Sequence, residues 1–202
     1  MLRHKAVTII MRPKLILITG YLAAGKSVFA RRLSAELRVP CIVKDTFKSA
    51  LCDGVDVASR EESSRFSQIT FNGMLYIAER FIENGCPVIL EGNFTPAGVK
   101  KTDEAGAVKA LLDRYGCEAL TYKFSGDTYV LYQRFVTRDG TPERESVNRM
   151  GYTPTYSEFD TWCRNLDTFS VGGEVVEADT TDFDAVEYGW LIDKARGYMR
   201  EG

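Results

Sequence analysis

Eight consecutive residues, Gly20-Tyr21-Leu22-Ala23-Ala24-Gly25-Lys26-Ser27, form the pattern GxxxxGKS. Each fixed position answers a need of polyphosphate binding. Gly20 and Gly25 lack a Cβ, so the amides between them can curl around anionic oxygens at close range. A helix opening near Lys26 adds the unpaired N–H groups of its first turn, up to Val28, and the positive end of its dipole. The Lys26 ammonium is expected on the β- and γ-phosphates, and the Ser27 hydroxyl on Mg²⁺. The stretch from Gly20 to Val28 is therefore the expected seat of a nucleoside triphosphate with its Mg²⁺.

Other residues could act on that phosphate. Asp45 ends a short apolar run, Pro40-Cys41-Ile42-Val43, at the kind of strand end where ligands collect in open α/β sheets. A carboxylate there can take a proton from an acceptor hydroxyl; its structural alternative is a cap on the following helix. Glu91 closes Val88-Ile89-Leu90-Glu91, apolar residues ending in an acid that can hold Mg²⁺ directly or through water. Asn93 and Thr95 follow it as candidate substrate contacts at the mouth of the cleft. Arg134 and Arg138 lie four apart on one helix face and lead into a polar segment, 139–155, with two glycines and two prolines. Such a segment beside a phosphate site reads as a mobile lid that brings arginine onto the transferring group. Spacing does not separate the two arginines. Asp179 and Thr180, after the last strand, are candidates for contact with the base.

These residues need elements to hold them. Leu15-Ile16-Leu17-Ile18-Thr19 is apolar without alternation, as in a strand buried on both faces. Val28, Phe29, Leu33 and Leu37 then recur at helical spacing. Five strand segments (15–19, 40–44, 87–92, 117–124, 174–179) alternate with helices, which predicts a mostly parallel five-stranded sheet wrapped on both faces. The fourth segment alternates enough to suggest one less covered face. A long helix is expected from Ser63 or Ser64 to Asn84-Gly85, with Gly73 at its middle marking close packing or substrate approach. Arg65, Gln68 and Asn72 read as its solvated face. Another helix is expected over 156–166, and a closing one from Phe183 to Met199. Residues 1–12 read as an N-terminal extension to a single domain over 13–202, with the lid near 139–155.

Composition bounds the function. The 202 residues have a net charge of −2, which argues against a sequence-independent nucleic-acid coat. Five cysteines, odd in number and never in CxxC spacing, argue against a zinc site and for a reducing compartment, the cytoplasm. The single histidine, His4, lies in the extension, and no stretch approaches the length of a membrane span.

The sequence ITGYLAAGKSVFARRLSAEL, then a strand ending KDTFKSAL, then VILEGN, then an arginine-bearing helix before a Gly/Pro-containing segment resembles the small P-loop kinases. It is most similar to the group holding the polynucleotide 5′-hydroxyl kinase domain, the zeta-toxin-type kinases and chloramphenicol phosphotransferase. The resemblance implies the three-layer α/β P-loop fold and ATP-dependent transfer of a γ-phosphoryl group to a hydroxyl on a small-molecule or nucleotide-like acceptor. It implies that Asp45 is the base that activates that hydroxyl, and that Arg134 or Arg138 is the lid arginine. The polynucleotide kinases carry an arginine three residues after that aspartate; Lys48 stands here, a departure that weakens a nucleic-acid acceptor while keeping Lys48 a candidate substrate contact. Two rivals follow: a polynucleotide 5′-hydroxyl kinase, and a P-loop ATPase or nucleotide-dependent switch with no phosphorylated acceptor. Oligomeric state and the choice of ATP over GTP stay open.

Overall fold

A computed structural model describes residues 13–55, 59–99, 102–139 and 152–200. The expected extension and the centre of the expected lid lie outside them.

All strand pairings are parallel. β1 (Leu15–Gly20), β2 (Cys41–Val43), β3 (Val88–Glu91), β4 (Ala119–Ser125) and β5 (Glu174–Asp179) form one sheet in the order β2-β3-β1-β4-β5. β1 is central, pairing Leu15 with Val88 on one side and Ala119 on the other. Its successive residues serve opposite layers. Ile16 and Ile18 belong to a core with Phe29 and Leu33, while Leu15 and Leu17 belong to a second with Met74 and Leu112. A strand covered on both faces has no solvated side, which is why its sequence runs without alternation. Full burial of each such side chain contributes about 1.5–3 kcal/mol.

The helices are α1 (Lys26–Leu37), α2 (Lys44–Cys52), α3 (Arg60–Glu83), α4 (Glu104–Tyr115), α5 (Thr128–Asp139), α6 (Tyr156–Arg164) and α7 (Tyr188–Arg200). α3 and α4 cover one face of the sheet; α1, α5, α6 and α7 contribute to the core on the other.

Several boundaries depart from the sequence reading. β4 is not the less covered strand: it lies between β1 and β5, and its first four residues are all buried. The strand with the exposed alternating face is β5 at the sheet edge. α3 begins at Arg60, ahead of Ser63, because Ser59 and Glu62 form a reciprocal capping box. α6 stops at Arg164, with Asn165 as its C-cap. The closing element is split: a short 3-10 turn, Phe183–Ala185, precedes α7. α2 starts at Lys44, directly after β2, with Val43 as its N-cap. Asp45 is therefore a first-turn residue on the helix dipole, not the cap.

Candidate active site

The loop between β1 and α1 is shaped by contacts on its far side. A Cβ on Gly20 would lie 2.0 Å from the Phe124 carbonyl oxygen, so only glycine lets β1 run this close to β4 before turning. The Tyr21 N–H then donates to that same carbonyl at 2.8 Å. Gly25, at φ 79°, caps α1 in the left-handed region, where the Phe183 ring leaves no room for a side chain. The Tyr21 hydroxyl donates to Asp167 Oδ1 at 2.7 Å, tying the loop to the chain beyond α6.

Lys26 is buried. Its Nζ donates to the carbonyls of Gly20 (3.0 Å) and Tyr21, within the loop it belongs to. Burial pushes its pKa down, opposed by Glu91 and Asp45 and reinforced by Arg138. Lys26 thus feels the charge of all three. The Ser27 hydroxyl donates to Glu91 Oε2 at 3.2 Å. Burial raises the Glu91 carboxyl to about 7, against the pull of Lys26 and with a further push from Asp45. Ser27 and Glu91 set two hard oxygen groups side by side in a buried place, which fits one flank of a Mg²⁺ site. Among the described residues no three His, Cys, Asp or Glu side chains gather to cage a metal by themselves. A cation that keeps waters and takes phosphate oxygens does not need such a cage.

Above this floor opens a cavity of about 200 Å³. Leu22 to Val28 line one wall, with Glu91 and Gly92 at the base; Lys44, Asp45, Ser67, Asn93 and Arg138 complete it. Asp45, Glu91, Asn93, Arg138, Lys26 and Ser27 are thereby brought together as the sequence reading expected. The two arginines part company. Arg138 lines the cavity, whereas Arg134 donates to the carbonyls of Thr180 and Thr181 and stacks on Phe183, 3.9 Å from the ring centroid.

Other candidates lie outside the cavity lining. Lys48 donates to Ser63 Oγ at 2.8 Å. Asp179 accepts from the Thr181 N–H, and the Thr180 hydroxyl is turned inward onto the Ser125 carbonyl. Thr95 is buried, its N–H donating to Glu104. Gly73 faces the Phe47 ring, so its lack of a side chain serves helix packing.

Sequence reasoning missed Lys44 and Ser67. Ser67 sits one helical turn beyond Ser63 and donates to its carbonyl. Lys44 makes an ion pair with buried Glu104 of α4 and lies over the Phe71 ring, 5.2 Å from its centroid. The first-turn acid of α4 after Asp103 hinted at a helix start, but nothing local pairs Glu104 with a residue sixty positions earlier.

Residues 15–151 match the model of a family described as an AAA domain. No curated protein matches the sequence. Among solved structures, a candidate kinase from Chloroflexus aurantiacus j-10-fl superimposes with a TM-score of 0.78 at 21% identity, covering 95% of this chain and 98% of that one. Shikimate kinase from Bacteroides thetaiotaomicron gives 0.57 at 15% identity, over 93% of this chain and 99% of that one. The Deinococcus radiodurans tunicamycin resistance protein gives 0.55 at 14% identity, over 95% and 98% respectively. At these identities the likeness shows the fold, which is that of the small P-loop kinases.

Proposed function

From the premise that this chain belongs to the AAA domain family, we propose that it is a kinase moving the γ-phosphoryl group of ATP to a hydroxyl on a small-molecule or nucleotide-like acceptor. The observation that carries this reading is Asp45. A carboxylate on the first turn of α2 shares one small cavity with Lys26, Ser27 and the loop amides. A hydrolase needs a group that orients water; a kinase needs a base beside the phosphate for an alcohol, and the presence of Asp45 in the same cavity as the loop supports the second.

In this reading Lys26 and the loop from Gly20 to Val28 grip the phosphates. Ser27 and Glu91 are the side chains that would hold Mg²⁺, which supplies charge neutralisation at the phosphate oxygens. Asp45 receives the acceptor's proton. Arg138 stabilises charge on the transferring group, supported by its place in the cavity and its effect on Lys26. Arg134 is assigned to the nucleoside end, where its guanidinium covers the Phe183 ring and holds the Thr180 and Thr181 carbonyls. Five free thiols suit a reducing compartment, the cytoplasm.

The test is transfer of label from γ-labelled ATP to a panel of hydroxyl acceptors, with ATP binding measured on the same protein. Asp45→Asn should bind ATP as before and lose transfer by at least about 100-fold, the usual scale of general-base catalysis. A variant keeping most of its transfer would remove Asp45 from the role, and hydrolysis with no labelled acceptor would favour an ATPase.

A further inference from the structure

α2 starts without a cap of its own. Val43 stands at the N-cap and supplies no side-chain hydrogen bond, and the strand before it, β2, is a three-residue edge paired with β3. A first turn with no capping side chain tends to fray. This turn carries Asp45, so its place has to be fixed from outside the helix. Arg31 donates to the Thr46 hydroxyl at 3.3 Å, but that contact is long and exposed.

Lys44 supplies a buried one. Its ammonium pairs with the Glu104 carboxylate on the first turn of α4 and lies 5.2 Å from the centroid of the Phe71 ring on α3. Its stem passes beside Gly92, where a Cβ would lie 3.1 Å from the lysine Cβ and 3.2 Å from its Cδ. The same buried carboxylate accepts from the Thr95 N–H at 3.2 Å, two residues beyond Asn93. α4 does not use Glu104 as its cap, because Asp103 already accepts from the Gly106 N–H. Glu104 therefore ties down both the turn that holds Asp45 and the run that holds Asn93, although it does not itself line the cavity. A buried ion pair adds little net stability over apolar side chains of the same volume. What it adds is register, since the ammonium must meet its partner where Glu104 stands.

We infer that Glu104 is a positioning residue: through Lys44 it sets where the Asp45 carboxylate stands relative to the phosphate loop. The inference rests on the kinase reading above and adds to it a residue that acts at one remove from the acceptor.

The test compares Glu104→Gln with the double variant Lys44→Met/Glu104→Gln. Glutamine keeps an oxygen for the Thr95 N–H, and methionine lays an apolar chain on the Phe71 ring, so the double variant buries no unpaired charge. Its urea midpoint should return to that of the unchanged protein, whereas Glu104→Gln alone lowers it. Transfer from γ-labelled ATP is read with whichever hydroxyl acceptor of the panel the unchanged protein labels most. In both variants kcat should stay at least about tenfold down, the scale of a catalytic group displaced by a fraction of an ångström, with the KM for ATP within about twofold. A kcat that returns together with the midpoint marks a purely structural pair and overturns the inference. Amide hydrogen exchange decides the matter without an acceptor. Exchange over 44–52 should quicken about tenfold in the double variant relative to 20–28; an unchanged ratio overturns the inference, whatever the midpoint does. Failure of the kinase reading shows separately, as Asp45→Asn that keeps its transfer or as no label on any acceptor.

Discussion

The two walls of the cleft are built by different means. The wall proposed for the nucleotide is one unbroken stretch, Leu22 to Val28, whose shape is set at its glycines: Gly20 against the Phe124 carbonyl and Gly25 beneath the Phe183 ring. The acceptor wall is assembled from side chains of α2, α3, the segment after β3, and α5, joined by the Lys44–Glu104 pair and by Glu104 accepting from the Thr95 N–H. The course of one wall can be changed only by disturbing the packing of Gly20 and Gly25 against their neighbours. The other can be altered residue by residue, with the loop left standing. A scaffold of this kind can keep its phosphate donor while exchanging its acceptor.

The contrast makes predictions of graded size. The largest concerns the nucleotide wall: Lys26→Ala should lower kcat/KM by about 10²–10³-fold, as for loss of one preorganised charge-stabilising group, whichever acceptor is used. A loss that depended on the acceptor would blur the division between walls. Next comes Glu104→Gln, which removes the charge opposite half-buried Lys44 and should cost about 1–3 kcal/mol in urea denaturation. Transfer should fall with it, while ATP affinity measured on the folded fraction stays near its original value.

Third is a pH effect on the shared floor. The Glu91 carboxyl is raised from 4.5 to about 7 in the folded protein, so between those values the folded state holds a proton that the unfolded state has lost. Stability should therefore decline as pH climbs from about 4.5 to about 7 and level off above, by about 3 kcal/mol in all. Glu91→Gln should flatten that slope in denaturation curves taken across the range. The smallest effect separates the arginines. Arg138→Ala should reduce kcat by about 10²-fold, and Arg134→Ala should leave kcat nearly unchanged while raising the KM for ATP several-fold, as one stacking contact would. The reverse pattern in steady-state kinetics would exchange their roles.

The same contrast explains what could be read from the chain alone. GxxxxGKS between an apolar run and a helical stripe is local, and local patterns survive without coordinates. The central strand was legible because burial on both faces leaves an unbroken apolar run at Leu15 to Ile18. The capping box at Ser59 and Glu62 was written in the sequence as S-x-x-E, yet it was outweighed by the serines that follow. β4 misled because Thr121 and Lys123 mimic alternation, although Thr121 is buried and the Lys123 ammonium reaches out to the Asp167 carbonyl. Lys44 and Ser67 were invisible for a deeper reason. Their meaning depends on Glu104 and on the packing of α2 against α3, both fixed only by the tertiary fold. Arg134 and Arg138 share a helix face in sequence; the turn at Phe183 decides between them, and it lies some fifty residues away.

Lys26 rests its ammonium on the carbonyls of Gly20 and Tyr21, oxygens of the loop that carries it. The buried cation and the turn that leads into its helix therefore support each other: the turn satisfies the charge, and the charge gathers two carbonyls that a helix start would otherwise leave splayed.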